Sequence, residues 1–152
     1  MIRRPVHRLA ATLAVLGLAA VPIASASAAP AGPAKVSLKK TALGMTLVNG
    51  RGRTLYAFTK DAKNKNRCVT TAGCTSTWPV VTSHGKPTAG PGVKSSKLST
   101  IRLANGSHQV TYAGRPLYTY AGDSSAGETD YVGANQFGGT WLAVNGAGKT
   151  VK

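Results

Sequence analysis

Beyond residue 40 the apolar positions come in short runs broken by Gly, Asn and Asp. "TLYAF" (54–58), "STIRL" (99–103), "QVTYA" (109–113), "PLYTY" (116–120) and "TWLAV" (140–144) are strand-like in length and rich in Thr, Val and aromatic residues. Three further phrases, "VNGRGRTL" (48–55), "LANGSHQV" (103–110) and "VNGAGKTV" (144–151), set Asn-Gly between short apolar stretches, a hairpin signature. No long segment carries helical apolar spacing. The pattern predicts an all-β, hairpin-rich domain.

The pattern also repeats. Val48–Asp61 aligned with Val110–Asp123, at an offset of 62, gives six identities in 14 positions, with Phe58 opposite Tyr120. Trp78 then aligns with Trp141 at an offset of 63. Each half reads as a hairpin, an aromatic strand, an Asp-led loop and a Trp strand. The halves are placed at about 41–81 and 98–151, joined by a Gly, Pro, Ser and Lys rich linker at 82–97. A long Gly-rich loop, 122–139, precedes the last hairpin. Because that hairpin copies the first one, the two ends are expected to pair in one sheet.

Residues ahead of the domain read differently. Arg3, Arg4 and Arg8 lead into the apolar run "LAATLAVLGLAA" and then "ASASAAP", the layout of a secretory signal peptide cut after Ala28. The run is too short for a transmembrane anchor. The twin Arg3-Arg4 is followed by Pro5 and Val6, a poor twin-arginine continuation. Residues 29–40, which open on "APAGPAKV", read as a flexible arm ahead of a domain at 41–152.

Charge changes the picture. The whole chain carries 19 Lys and Arg against 4 Asp and Glu, and removal of the leader leaves +12. Such a surface attracts polyanions in a salt-dependent way. Two cysteines, Cys68 and Cys74, in an exported chain read as a disulfide, worth roughly 2.4 kcal/mol in the chain-entropy model. A single pair at this spacing is not a zinc pattern.

With these residues in view, the chain resembles a family of bacterial secreted repeats of unknown function, also described as lipoproteins with a Tyr-x-(Phe/Trp/Tyr)-x-x-Asp motif. The motif is met at Tyr56, Phe58 and Asp61 and again at Tyr118, Tyr120 and Asp123. "GRTLYAFTKD", the Cys pair before "WP", "GRPLYTYAGD" and "FGGTW" match as well. The likeness covers about residues 40–151. This chain lacks a lipidation cysteine, which sets it apart from the lipoprotein members. The family carries no established activity.

The motif allows two roles. Alternation puts Tyr56 with Phe58 on one face and Tyr118 with Tyr120 on another, either as an aromatic core with Trp78 and Trp141 or as a ligand platform. Asp61 and Asp123 fall where strands end, as turn anchors or ion-pair partners for Arg53 and Arg115. No Ser-His-Asp group is recognisable, so no catalytic residue is assigned. His84 and His108 read as exposed loop or turn residues. Asp123, Glu128 and Asp130 lack the spacing of a calcium loop, so no metal site and no cofactor are expected.

The leading expectation is a non-enzymatic secreted module that binds anionic cell-wall polymer or another envelope surface. Lys39, Lys40, Lys60, Lys63, Lys65 and Arg67 are its expected contacts, without specific nucleic-acid recognition. A small-ligand, metal or redox accessory protein (haem, copper or flavin) and a cell-wall hydrolase are the alternatives.

Overall fold

The computed structural model describes residues 32–152, so the leader read over 1–28 lies outside the described residues. β1 (Lys35–Thr41) and β2 (Gly44–Asn49) form an antiparallel hairpin in register from Val36↔Asn49 to Thr41↔Gly44. The chain continues into β3 (Tyr56–Phe58) and a 3-10 turn at Cys68–Thr70. Next come a one-turn helix, α1 (Cys74–Thr77), and β4 (Thr88–Ala89). The second half supplies β5 (Leu98–Arg102), β6 (His108–Tyr112) and β7 (Arg115–Pro116). It ends with β8 (Asn135–Gln136), β9 (Gly139–Val144) and β10 (Thr150–Val151).

Three small sheets result. Their orders are β2-β1-β4, β10-β9-β3 with β8 on β9, and β5-β6-β7. Single bridges knit them together, at Thr46↔Asn145, Tyr56↔Tyr118, Val80↔Tyr118 and Thr82↔Gln109. The all-β class and the duplicated plan are as read from the sequence. The ends also meet: β3 of the first half pairs with β9, in register Tyr56↔Ala143 to Phe58↔Trp141, and Thr46 bridges Asn145.

Three local readings need correction. The flexible arm over 29–40 is a strand from Lys35 onward. Its alternation buries Val36, half-buries Leu38 and exposes Lys35 and Lys39, a period-2 pattern hidden beside the Pro and Ala of the preceding residues. The 82–97 linker is not featureless: β4 adds in parallel to the free edge of β1, and Leu38 N–H donates to Pro91 O at 3.0 Å. Trp78 does not sit on a strand as Trp141 does. It caps α1, with its N–H donating to Cys74 O at 2.7 Å, and Pro79 cannot donate to a ladder.

The three Asn-Gly hairpins share one turn, though with the glycines in different phase. Asn49, Leu103 and Asn145 open equivalent three-residue loops, closed by Gly52 N–H to Asn49 O, Gly106 N–H to Leu103 O and Gly148 N–H to Asn145 O at 2.9 Å each. The left-handed residue is Gly52, Gly106 or Gly148, at φ near +80°. In the outer two loops the Asn side chain instead braces the turn. Asn49 Oδ1 accepts Arg51 N–H and Arg53 N–H, and Asn145 Oδ1 accepts Ala147 N–H and Lys149 N–H. A fourth hairpin, β6–β7, turns on Ala113-Gly114 with φ of 50° and 77°, a two-residue turn that Ala rarely signals.

Two packed clusters fill the interior. One is largely aliphatic: Val36, Leu47, Leu55, Val110, Leu117 and Val144 among others, with Tyr112. The other is aromatic and holds the Cys68–Cys74 disulfide: Tyr56, Phe58, Trp78, Tyr118 and Trp141.

Candidate functional site: the crossed tyrosine–aspartate corners

Tyr56 and Tyr118 are equivalent in the repeat, and they pair with each other. Tyr56 N–H donates to Tyr118 O at 2.9 Å, and Tyr118 N–H donates back to Tyr56 O at 3.0 Å. This reciprocal bridge places an approximate two-fold axis between the halves. The side chains obey it. Tyr118 OH donates to Asp61 Oδ2 at 2.7 Å, while Tyr56 OH lies 3.1 and 3.3 Å from the two oxygens of Asp123. Each phenol therefore serves the aspartate of the other motif. Each aspartate also closes a turn, Asp61 N–H to Phe58 O and Asp123 N–H to Tyr120 O. Asp61 Oδ1 additionally accepts Arg67 N–H at 2.8 Å.

The rings follow the same axis. Trp78 and Trp141 stack face to face with centroids 4.1 Å apart. Phe58 stacks on the outer face of Trp141, and Tyr120 lies on Trp78, followed by Tyr131. Tyr56 meets Trp78 edge-on at 74°, and Tyr118 meets Trp141 edge-on at 89°. Gln136 accepts the Trp78 indole N–H at 2.8 Å. Tyr56 and Tyr118 are fully buried and Phe58 is 3% exposed. These rings thus form a core, without an open platform between them. Tyr131 and Gln136, from the long loop and β8, had no repeat partner to draw attention to them.

The ion pairs expected for the aspartates are replaced by these phenol contacts. Arg115 spends its Nε–H on Gly148 O at 2.9 Å. Arg53 acts on Asp123 through its field rather than as its hydrogen-bond donor. A phenol beside the buried Asp123 or the half-buried Asp61 satisfies a lone pair without bringing a second charge into the core.

Burial decides the titration of this site. It raises Asp123 from 3.8 to about 6; the Tyr56 hydroxyl and Arg53 oppose the rise, while Glu128 and Asp130 add to it. Burial also raises Asp61, against the Arg67 N–H and the Tyr118 hydroxyl. Both phenols are pushed upward by burial and by the carboxylate each one faces. Between about pH 4 and pH 6 folded Asp123 keeps a proton that the unfolded chain releases. Its contribution to stability is therefore complete below pH 4 and lost as pH rises through 6, at most about 3 kcal/mol by linkage before solvent screening reduces it. Glu128, held below its ordinary range by the Ser125 and Ser124 N–H groups, acts in the opposite sense. Urea unfolding at pH 4.5 and pH 7 should show Asp123→Asn losing stability relative to wild type at the lower pH; an unchanged difference would exclude this proton.

The expected surface contacts, Lys39, Lys40, Lys60, Lys63, Lys65 and Arg67, are all exposed. The last four share the loop after β3. Lys39 lies elsewhere, against Gly52 and Gly127. Lys63 and Arg115 both line a cleft of about 320 Å³ beside Asp61 and Gly114. Among the described residues no group of three or more His, Cys, Asp or Glu is placed to hold a metal ion. No described helix is long and apolar enough to cross a membrane.

Fold and site together define a duplicated all-β domain whose two Tyr-x-aromatic-x-x-Asp corners lock into each other across a tryptophan stack. The family described as "secreted repeat of unknown function" matches this chain twice, over residues 37–82 and 99–145, and the chain belongs to that family. One match falls in each half, the first beginning within the residues read as the arm. No curated protein matches the chain, and no solved structure does.

Proposed function

We propose that the protein is a non-enzymatic secreted binding module that holds anionic cell-envelope material on its basic surface. The observation that carries this reading is where the charges go. Of the Lys and Arg residues in 32–152, all but the half-buried Arg53 and Lys97 are exposed. The carboxylates of Asp61, Asp123 and Glu128 are instead taken up by phenol, hydroxyl and backbone N–H groups of the fold. Three of the four acids serve the architecture, and the cations are left to act outward. Long-range attraction of this kind is screened over about 10 Å at 0.1 M salt.

The purified protein should co-sediment with isolated cell walls at low ionic strength and be released as salt rises. Replacing Lys60, Lys63, Lys65 and Arg67 together by Gln should move release to lower salt while leaving the melting temperature within a few degrees. Retention that ignores salt, or no retention at all, would sink the reading.

A further inference from the structure

The approximate two-fold axis allows one corner of the molecule to be compared with the other. The repeat offset of 62 sets Arg53 against Arg115, Gly52 against Gly114 and Asp123 against Asp61. Both glycine carbonyls are used alike: Gly127 N–H donates to Gly52 O and Asn64 N–H donates to Gly114 O, each at 2.8 Å. What fills the two corners differs. At Arg53 the 122–139 loop supplies Glu128, whose carboxylate is fixed by Ser124 N–H at 2.7 Å and Ser125 N–H at 2.9 Å in the field of Arg53. Thr54 Oγ1–H donates to the Glu128 carbonyl, which seals the corner.

At Arg115 the corresponding loop lays Lys63 over the glycine, where the other corner has Ala126. The Lys63 stem lies over Gly114, so close that a Cβ there would fall 2.7 Å from Lys63 Cγ. Between them opens the 320 Å³ cleft, lined by Phe58, Asp61, Lys63, Gly114, Arg115 and Gly148. Arg115 is held in position through its Nε–H on Gly148 O. Asp61 is the one acid in the lining, and both its oxygens are already engaged, by Arg67 N–H and Tyr118 OH. The cleft thus offers two cations over a partly apolar floor, at the corner whose counterpart is filled by the protein's own carboxylate.

We infer that the Lys63–Arg115 cleft is a binding seat for a small carboxylate ligand. The carboxylate lies beside Arg115 as Glu128 lies in the field of Arg53, with Lys63 and the Arg115 guanidinium as donors. The exposed Ala62 and Ala113 in the lining accommodate a short apolar stub. A peptide C-terminus and an acidic sugar share this chemistry. The inference rests on the anionic-envelope reading only for the source of the ligand.

Backbone-amide NMR of the secreted protein, titrated with N-acetylalanine, N-acetylalanine amide, glucuronate, glucose and inorganic phosphate, tests it. Saturable shifts at Lys63, Asn64, Gly114 and Arg115 are expected with one or both carboxylates, and none with the amide or glucose. N-acetylalanine alone points to a peptide source and glucuronate alone to a sugar. Arg115→Gln should weaken binding by about tenfold or more, as loss of a charge-assisted donor does, while Arg53→Gln leaves it unchanged. Because Arg115 also braces Gly148, Lys63→Glu is the second variant. It places a carboxylate in the cleft and should abolish binding without lowering the melting temperature. Equal shifts with the uncharged probes, tighter saturation by phosphate, or wild-type binding by Lys63→Glu would overturn the assignment. Loss of wall retention with saturable carboxylate binding intact would sink the surface reading and leave the cleft standing.

Discussion

Trp141→Ala is expected to cost about 3–5 kcal/mol, a large share of the 5–15 kcal/mol that holds a domain of this size together. Trp141 is fully buried, stacked between Phe58 and Trp78, and touched edge-on by Tyr118. Truncation removes contacts from three rings at once. The flat faces of Trp78 and Phe58 cannot close the gap without moving β3 against β9. Trp78→Ala should cost nearly as much. Tyr131→Ala, at the half-buried outer end of the stack, should cost clearly less. Urea unfolding at pH 7 measures all three. A loss below about 1 kcal/mol for Trp141→Ala would mean that the stack is not the structural centre.

Tyr56→Phe is the second large effect, at about 2 kcal/mol, within the range for stranding a buried hydrogen-bonding group. Asp123 is only 3% exposed, and both its oxygens face the Tyr56 hydroxyl. Removing that hydroxyl leaves the carboxylate without its donor. Tyr118→Phe should cost less, because Asp61 keeps the Arg67 N–H and is half-exposed. The informative experiment is a double-mutant cycle on Tyr56→Phe and Asp123→Asn. A coupling of about 1 kcal/mol or more is expected across the two halves. Additive losses would show that the phenol and carboxylate are neighbours without being partners.

The two corners were half legible in the sequence. Repetition of Tyr-x-aromatic-x-x-Asp marked Tyr56, Asp61, Tyr118 and Asp123 as equivalent, and alternation put the aromatics on one face. Nothing in a one-dimensional repeat says whether a tyrosine serves its own aspartate or the other one. That choice is made by the Tyr56↔Tyr118 bridge, a contact between residues 62 apart. The hairpins were legible from Asn-Gly, but the left-handed residue falls on the second glycine in Asn49-Gly50-Arg51-Gly52 and in Asn145-Gly146-Ala147-Gly148. Short-range chemistry located the turns and left the phase to be set by strand register. β1 was missed because its Lys-flanked alternation runs straight on from a Pro and Ala stretch. The strand at Trp78 was expected by analogy with Trp141, yet the residues just before it, Cys74–Thr77, wind into a helical turn under the disulfide. The cleft was within reach of the sequence only by asking what the aligned loops do not share, Lys63 on one side and Ala126 on the other.

The pairing of β3 with β9 joins Phe58 to Trp141. Its consequence is kinetic. The loop that must close before these rings can meet spans most of the domain, so its entropy has to be met before the Phe58–Trp141 stack rewards it. β1–β2 and β5–β6 can form early as local hairpins. The first aromatic strand, by contrast, stays without its ladder to β9 until residues 139–144 are available, and its one bridge to Tyr118 is itself long-range. Folding should therefore be late and cooperative, and neither half should be stable when produced alone.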